Sequence, residues 1–541
     1  MKNIVICSDG TGNTAIKGRG TNVFKLYEAI DFEGHRMDPN KKIRQIGFYD
    51  DGVGTSRLKV LAVLGGAFGF GLGRNVRQLY ADLARVYEPG DRIFLFGFSR
   101  GAFTVRTLSG LIAACGIVDR RHQACRSDGD LRHLVSRAYR AYRDRYRTRL
   151  LQLFRGPASD NPPSVINMRT QWAVQHAGDR GVGVEPWQVP IAFIGVWDTV
   201  DAVGFPIPGV AALWNETFYR FKFPDHVLGP MIERARHALA TDDERHTFHP
   251  LLWDEEPRGD GQPKAAAAQV PDRIRQVWFS GVHSNVGGGY AKQGMSVVSL
   301  AWMMDEVGQT WTLPNGTTRP GLRFSPGDWQ LYHERQNVYD KLHDSRAGVS
   351  CVYRYMPRDI VRLCQKSHLP PRLHVSAVER CMDAPEGYAP GNIPRDAQVV
   401  GVTVSMVTET MQRMRKELAE HASMLDPVRG LILLRRVTYF VVLGIAALVT
   451  IMVFAHAQWK LSELSAWGLL RALGEFILYA VTGARWWVAT LLLAMLAAYG
   501  INWLAARKMN TVFSTFWCRV RSPGARPVKG MSPRAGDLSV T

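Results

Sequence analysis

Cysteine is scarce in this chain, and the little there is falls into no pattern. The seven residues Cys7, Cys115, Cys125, Cys351, Cys364, Cys381 and Cys518 are odd in number and never stand in C-x-x-C spacing. That excludes a disulfide framework and a cysteine zinc site, and it fits a reducing compartment. Acidic residues are also short: 48 Asp and Glu against 67 Lys and Arg leave a formal charge of +19. Such a balance favours anionic partners, either nucleic acid or acidic lipid. No RRM, KH, zinc-finger or basic-zipper signature is present, and the excess arginine gathers around apolar segments. No nucleic acid is therefore expected, and a lipid bilayer is. The glycine-rich tract 65–73 has no Gly-Lys-Ser/Thr after it and no G-x-G-x-x-G fingerprint within it, which removes a phosphate cradle. No cofactor is expected, and no metal residue is assigned: neither Asp9 nor Asn285 stands in ligand spacing, and whether a metal binds is left open. The first residues lack the apolar region of a signal peptide, so residues 2–7 read as a folded first strand.

Long apolar runs are missing until residue 437. Residues 437–457 and 486–506 then hold no Asp, Glu, Lys or Arg, and each is long enough to cross a hydrocarbon core of about 30 Å. Trp459, Trp486, Trp487 and Trp503 sit near their ends, at the depth indole rings prefer. Arg429, Arg435 and Arg436 precede the first run and Arg507, Lys508, Arg519 and Arg521 follow the second. The loop 458–485 offsets Lys460, Arg471 and Arg485 with Glu463 and Glu475. Both termini are expected in the cytoplasm and the loop outside. Residues 401–436 read as a helical linker, and 507–541 as a basic tail expected to be disordered.

Upstream, short apolar runs at 2–7, 43–49, 93–96, 191–197 and 274–279 alternate with helical patterns such as 75–87 and 102–115. That is the cadence of an α/β domain with a mainly parallel sheet and helical insertions, spanning residues 1–400. Within it, Leu131, Val135, Tyr139, Tyr142, Tyr146 and Leu150 recur at helical spacing among many arginines. This basic amphipathic helix is either a solvated surface helix or part of a cap or lid, over residues 120–190, that meets anionic lipid.

The chemistry is carried by Gly97-Phe98-Ser99-Arg100-Gly101. A buried-strand pattern precedes it and a helical pattern follows, the context a nucleophile elbow requires. A serine hydroxyl needs an imidazole to take its proton and a carboxylate to fix that imidazole. In α/β-hydrolases these follow the serine in the order acid, then histidine. Strand pattern 191–197 ends at Asp198 and the next at His283, which makes Ser99, Asp198 and His283 the expected triad. Asp201 rivals Asp198, and His237 rivals His283. Oxyanion donors are expected from the backbone of Arg100 and, in the turn after the first strand, of Gly10 or Thr11. Asp9-Gly10-Thr11 also spells the D-G-T of an aspartate phosphotransferase, but that reading demands a nucleophilic carboxylate where Cys7 stands.

These residues give the chain a resemblance. Ser8-Asp9-Gly10-Thr11-Gly12-Asn13, Tyr49-Asp50-Asp51-Gly52-Val53-Gly54-Thr55, the Ser99 elbow, Gly195-Val196-Trp197-Asp198-Thr199-Val200 and the stretch from Gly281 to Tyr290 come in order. Together they resemble the α/β-hydrolase family known as domain of unknown function 2235, whose domain is shared with type VI secretion phospholipase effectors. The resemblance implies a Ser-Asp-His lipase or esterase on Ser99, Asp198 and His283, and in the effectors phospholipid acyl-ester hydrolysis. Members often carry Asp where this chain has Asn285. The apolar hairpin lies outside the motif set and favours a resident membrane enzyme over a freely secreted toxin. A membrane-anchored serine hydrolase acting on phospholipid esters is thus expected. The alternatives are an esterase or thioesterase on smaller acyl groups, and a silent scaffold or secretion-linked adaptor. A secretion-system or immunity partner stays unassigned.

Overall fold

The structure is a computed structural model. It describes residues 1–10, 20–37, 42–52, 68–121, 125–144, 189–200, 227–255, 272–313, 315–347, 350, 353–365, 370–401, 406–456 and 486–522. Thr11, Asp201, residues 145–188 of the expected cap, the loop 458–485 and the tail from 523 onward lie outside the described residues. The chain divides into two compact units. The first comprises Met1–Tyr353, Pro357–Pro385 and Asn392–Val404, and the second Arg354–Met356, Glu386–Gly391 and Ser405–Thr541.

The first unit is built on parallel strands. These are β1 (Asn3–Ser8), β2 (Gln45–Asp50), β3 (Arg92–Phe98), β4 (Ile191–Trp197), β5 (Ile232–Ala240) and β6 (Ile274–Phe279), then β9 (Arg372–His374) and β10 (Gln398–Val400). They lie in the order β10-β9-β6-β5-β4-β3-β1-β2, and every neighbouring pair is parallel. Between β6 and β9 in the chain, β7 (Trp311–Thr312) and β8 (Thr318–Arg319) form a small separate antiparallel ladder. The expected α/β fold with a mainly parallel sheet is what the chain adopts.

Strands β1, β3 and β4 are buried at every position. Helices cover both faces of the sheet, so each of these strands carries a continuous apolar run. The two faces separate with period two. Ile4, Ile6, Ile93, Leu95, Ile194 and Val196 join a core with helices Phe68–Val86, Arg100–Cys115 and Asp128–Asp144. Val5, Cys7, Phe94, Phe96, Phe193 and Trp197 join the opposite core with helices Asn22–Ala29 and Gly294–Gly308. Helix Asp128–Asp144 buries Leu131, Val135, Tyr139 and Tyr142 in the first core and leaves Arg132, Arg137 and Arg140 exposed.

Strand β5 breaks the apolar rule. Its sequence IERARHALA places Arg236 and His237 fully inside the protein. Arg236 is tolerated there because Glu306 at 2.5 Å and Asp272 at 2.8 Å neutralise it, as a buried cation requires.

In the second unit, helix Met406–Glu420 precedes helices Asp426–His456 and Trp486–Arg521, both long and apolar enough to cross a membrane. Their large side chains face outward: Ile451 is 64 %, Leu493 66 % and Tyr499 68 % exposed. A soluble core helix would hide such residues. The two helices pack together, and Asn502 Nδ2 on the second donates to Arg435 O at 3.1 Å and Thr438 Oγ1 at 2.9 Å on the first. The second helix runs on to Arg521, so residues 507–521 are ordered helix and not tail. Met509, Phe516, Trp517 and Val520 are buried along it, and Trp517 Nε1 donates to Pro390 O at 2.6 Å.

Candidate active site

The carboxyl ends of β1 and β3 meet where the chain turns outward to β2 on one side and to β4 on the other. Ligands bind at such a switch point in open α/β sheets. Ser99 follows β3 directly, at φ 58° and ψ −119°, and heads helix Arg100–Cys115. Two glycines permit the turn. A Cβ on Gly97 would lie 2.6 Å from Gly101 O, and one on Gly101 would lie 2.0 Å from Ser8 O and 2.5 Å from Asp9 O. The elbow is thus wedged against the end of β1, and Ser99 holds a backbone conformation that costs about 1–3 kcal/mol and persists only where the surroundings impose it. Asp198, at the end of β4, shares this property with φ 39°.

From these turns the side chains converge. His283 Nε2 lies 2.8 Å from Ser99 Oγ, and His283 Nδ1 lies 2.5 Å from Asp198 Oδ2. All three residues are at least nine-tenths buried. The imidazole is held between Phe98, with ring centroids 4.6 Å apart, and Phe248, edge-on at 5.1 Å. Its backbone N–H donates to Asp243 Oδ2 at 3.2 Å. Burial pushes the His283 pKa below its ordinary value, and the Asp198 hydrogen bond only partly opposes this. The ring is therefore neutral and able to accept a proton near neutral pH.

Asp198 is held by a residue that sequence reasoning missed. Arg358 Nη1 donates to Asp198 Oδ1 at 2.6 Å and Nη2 to Oδ2 at 2.8 Å, a two-pronged pair with both side chains wholly buried. The same guanidinium donates to Ala240 O and Phe248 O, and Ala240 N–H donates to Asp198 Oδ1 at 3.0 Å. Burial disfavours the charged carboxylate, but Arg358 and the His283 hydrogen bond outweigh it and hold Asp198 well below the usual carboxylate range. No local signal marks Arg358, one cation among 67.

The rival histidine is engaged elsewhere. His237 Nε2 accepts from Thr199 N–H at 3.1 Å, and Nδ1 faces Gln276 Oε1 at 3.3 Å. Burial and the nearby Arg106 push its pKa down to about 3. Its ring braces the turn after Asp198.

Of the oxyanion residues, Arg100 opens helix Arg100–Cys115, where backbone N–H groups point at the helix N-terminus. The Gly10 N–H is directed to Asp9 Oδ1 at 2.6 Å. Asp9 Oδ2 also accepts from Thr21 Oγ1 and Tyr49 OH, each at 2.6 Å, so this carboxylate organises the turn beside the elbow. Asn285 uses its amide to hold another segment: Oδ1 accepts from His343 N–H at 3.2 Å and Nδ2 donates to Lys341 O at 3.1 Å. Among the described residues one group gathers metal-ligand atoms, Glu417, Glu420 and His421 in the second unit. His421 Nδ1 lies 3.6 Å from Glu417 Oε2, and Lys416 pairs with Glu420 at 3.8 Å, contacts at the i,i+4 spacing of a single helix.

The family described as "T6SS, Phospholipase effector Tle1-like, catalytic domain" matches residues 2–306. The chain belongs to this family. The expected resemblance to type VI secretion phospholipase effectors therefore holds over the stretch that contains Ser99, Asp198 and His283, and Arg358 lies beyond it. An uncharacterized protein of Saccharomyces cerevisiae, YEL023C, is 25% identical over 265 residues, covering 47% of this chain. The chain matches only 33% of the length of that relative. A crystal structure of an uncharacterized protein from Pseudomonas aeruginosa, 14% identical, is similar at a TM-score of 0.31 over 79% of this chain and 54% of that one.

Proposed function

We propose that the chain is a membrane-anchored serine hydrolase that cleaves phospholipid acyl esters. The observation that carries this is the continuous hydrogen-bonded series Ser99, His283, Asp198 at the carboxyl ends of β3, β6 and β4. Membership of a phospholipase effector family supports the lipid ester as substrate. The two outward-facing apolar helices support the anchor, with both termini in the cytoplasm by the bias of flanking cations.

In this mechanism His283 Nε2 takes the Ser99 Oγ proton as the oxygen attacks the ester carbonyl. Asp198, fixed by Arg358, stabilises the imidazolium that forms. The Arg100 N–H faces the developing oxyanion. The second donor comes from the turn after β1, Gly10 or Thr11. The imidazolium returns its proton to the departing alkoxide oxygen, and the lysolipid leaves. Water, deprotonated by His283, then attacks the Ser99 acyl ester, the imidazolium returns its proton to the departing Ser99 Oγ, and the fatty acid is released. Arg358 serves as a positioning residue, since it reaches the reacting atoms only through Asp198.

The test pairs fluorophosphonate labelling with fatty-acid release from phosphatidylglycerol vesicles. Wild type should label and release fatty acid. Ser99→Ala, with the fold retained, should lose labelling and on the order of 10⁴-fold or more in rate. A folded wild type that does not label refutes the hydrolase. Labelling with cleavage of short-chain esters alone refutes the phospholipid substrate.

A further inference from the structure

In the second unit three guanidinium groups have no anion to balance them among the described residues. Arg435, in helix Asp426–His456, is only 8 % exposed, and its guanidinium stacks 3.5 Å from the centroid of the Tyr355 ring. Arg354, the neighbour of Tyr355, places its guanidinium 5.3 Å from the Phe440 ring centroid, on the next turn of the same helix. Arg436 is within electrostatic range of both Arg354 and Tyr355. Among the described residues the Nε of each of these arginines is buried without a hydrogen-bond acceptor. Helix Asp426–His456 has one carboxylate, Asp426 in its first turn, and helix Trp486–Arg521 has none. Among the described residues none of the three arginines forms an ion pair.

A buried cation without a counter-charge is costly, and a protein retains one where an anion is delivered from outside. Stacking on an aromatic ring leaves the donor edge of a guanidinium free, and that edge fits two phosphate oxygens at once. The position selects the source. Arg435 and Arg436 stand immediately before the uncharged run 437–457, the depth of the lipid headgroups once that run crosses the bilayer. On the facing helix, Asn502 is bonded to Arg435 O, and Arg507 lies 4.7 Å over the Trp503 ring.

We propose that Arg354, Arg435 and Arg436 bind the phosphate of an anionic phospholipid, which the hairpin retains as a bound lipid. The site rests on the membrane-anchored part of the reading above and is independent of the hydrolase chemistry.

The test uses the full chain in a neutral maltoside detergent, with the diether analogue of phosphatidylglycerol as probe, because it has no acyl ester to cleave. Thermal midpoint and native mass spectrometry read binding, with diether phosphatidylcholine and inorganic phosphate as the other arms. Wild type should be stabilised by the glycerol lipid and not by the choline lipid or by inorganic phosphate. Arg354→Gln/Arg435→Gln/Arg436→Gln should lose on the order of 100-fold in apparent affinity, and Arg436→Gln alone about fivefold, which keeps the question open to measurement if the triple variant does not fold. Arg435→Lys, which keeps the charge and loses the fork, should also weaken binding. Equal binding of both lipids, a response to phosphate equal to that of the lipid, or a folded triple variant that binds like wild type overturns the site. Carbonate extraction of membranes separates the two failures. If wild type is extracted, anchoring and site fall together; if it stays while lipid selectivity is unchanged by the substitutions, only the site falls.

Discussion

Replacing Arg358 by glutamine strips Asp198 of charge-assisted hydrogen bonds at 2.6 Å and 2.8 Å without altering a residue that touches the reacting atoms. Both side chains are fully buried, and unpairing a buried ion pair costs about 3–5 kcal/mol. Part of that appears as lost stability. Asp198 has a depressed pKa in the fold, so its contribution is present above the unfolded carboxylate value and lost as pH falls through the folded one. The electrostatic part is the more discriminating. Arg358 Nη2 is 2.8 Å from Asp198 Oδ2, which is itself 2.5 Å from the imidazole. A unit charge about 6 Å away, at an effective dielectric of about 20, contributes about 3 kcal/mol, or about two pKa units.

In wild type that charge opposes protonation of His283. In Arg358→Gln the opposition is gone and an uncompensated Asp198 draws the proton in, so the His283 pKa rises. His283 is a base only when neutral, and the acidic limb of reactivity must move up by about one to two pH units. The second-order rate of fluorophosphonate labelling, followed from about pH 5 to about pH 9, reads that limb directly. The variant should approach wild type at the alkaline end and fall on the order of 100-fold behind it at the acidic end. Arg358→Lys, which restores charge without the two-pronged geometry, should bring the limb part of the way back. If the variant loses the same factor at every pH while the limb stays in place, Arg358 is only a packing residue and the electrostatic reasoning is refuted.

Two further substitutions probe the frame around Ser99. Gly101→Ala would set a Cβ 2.0 Å from the Ser8 carbonyl oxygen, backbone against backbone, and should lower stability by about 3 kcal/mol with loss of labelling; a thermal midpoint and labelling rate near wild type would show that the elbow is not wedged against β1. His237→Leu removes the acceptor for the Thr199 N–H and should cost about 1–3 kcal/mol in a denaturant midpoint. With its pKa near 3, His237 is neutral throughout the working range, so the acidic limb should stay where it is; a displaced limb would make His237 the base.

Much of the sheet is legible because burial on both faces writes itself as continuous apolar runs. Ile191–Trp197 and Ile274–Phe279 coincide with β4 and β6, each ending in an ionisable residue or the turn that carries one. Strand β5 is hidden in the sequence for the opposite reason. Its core-facing Arg236 is neutralised by Glu306 and Asp272, 70 and 36 positions away, and no local pattern records a partner at that separation. The strands β9 and β10 at one end of the sheet are three residues each, too short for period or composition to separate from a loop. The extension of the last helix past residue 506 was likewise masked by its arginines, since the burial of Phe516 and Trp517 depends on the segment around Pro390.

The site divides along the same line. Ser99 is readable because its turn demands particular residues at fixed offsets, and the glycines that permit the turn are its neighbours. Asp198 and His283 are readable because each follows an apolar strand in a fixed chain order. What holds Asp198 obeys no such order. Arg358 reaches it across 160 positions, and His237 braces the next turn from a strand that looks polar. The polar residues that obscure β5 and those that hold Asp198 are alike in kind: ionisable side chains stabilised inside the protein by partners distant in sequence. A carboxylate buried so completely can stay charged only beside such a partner. Arg358, the support hardest to read locally, is therefore the one on which the charge state of Asp198 depends.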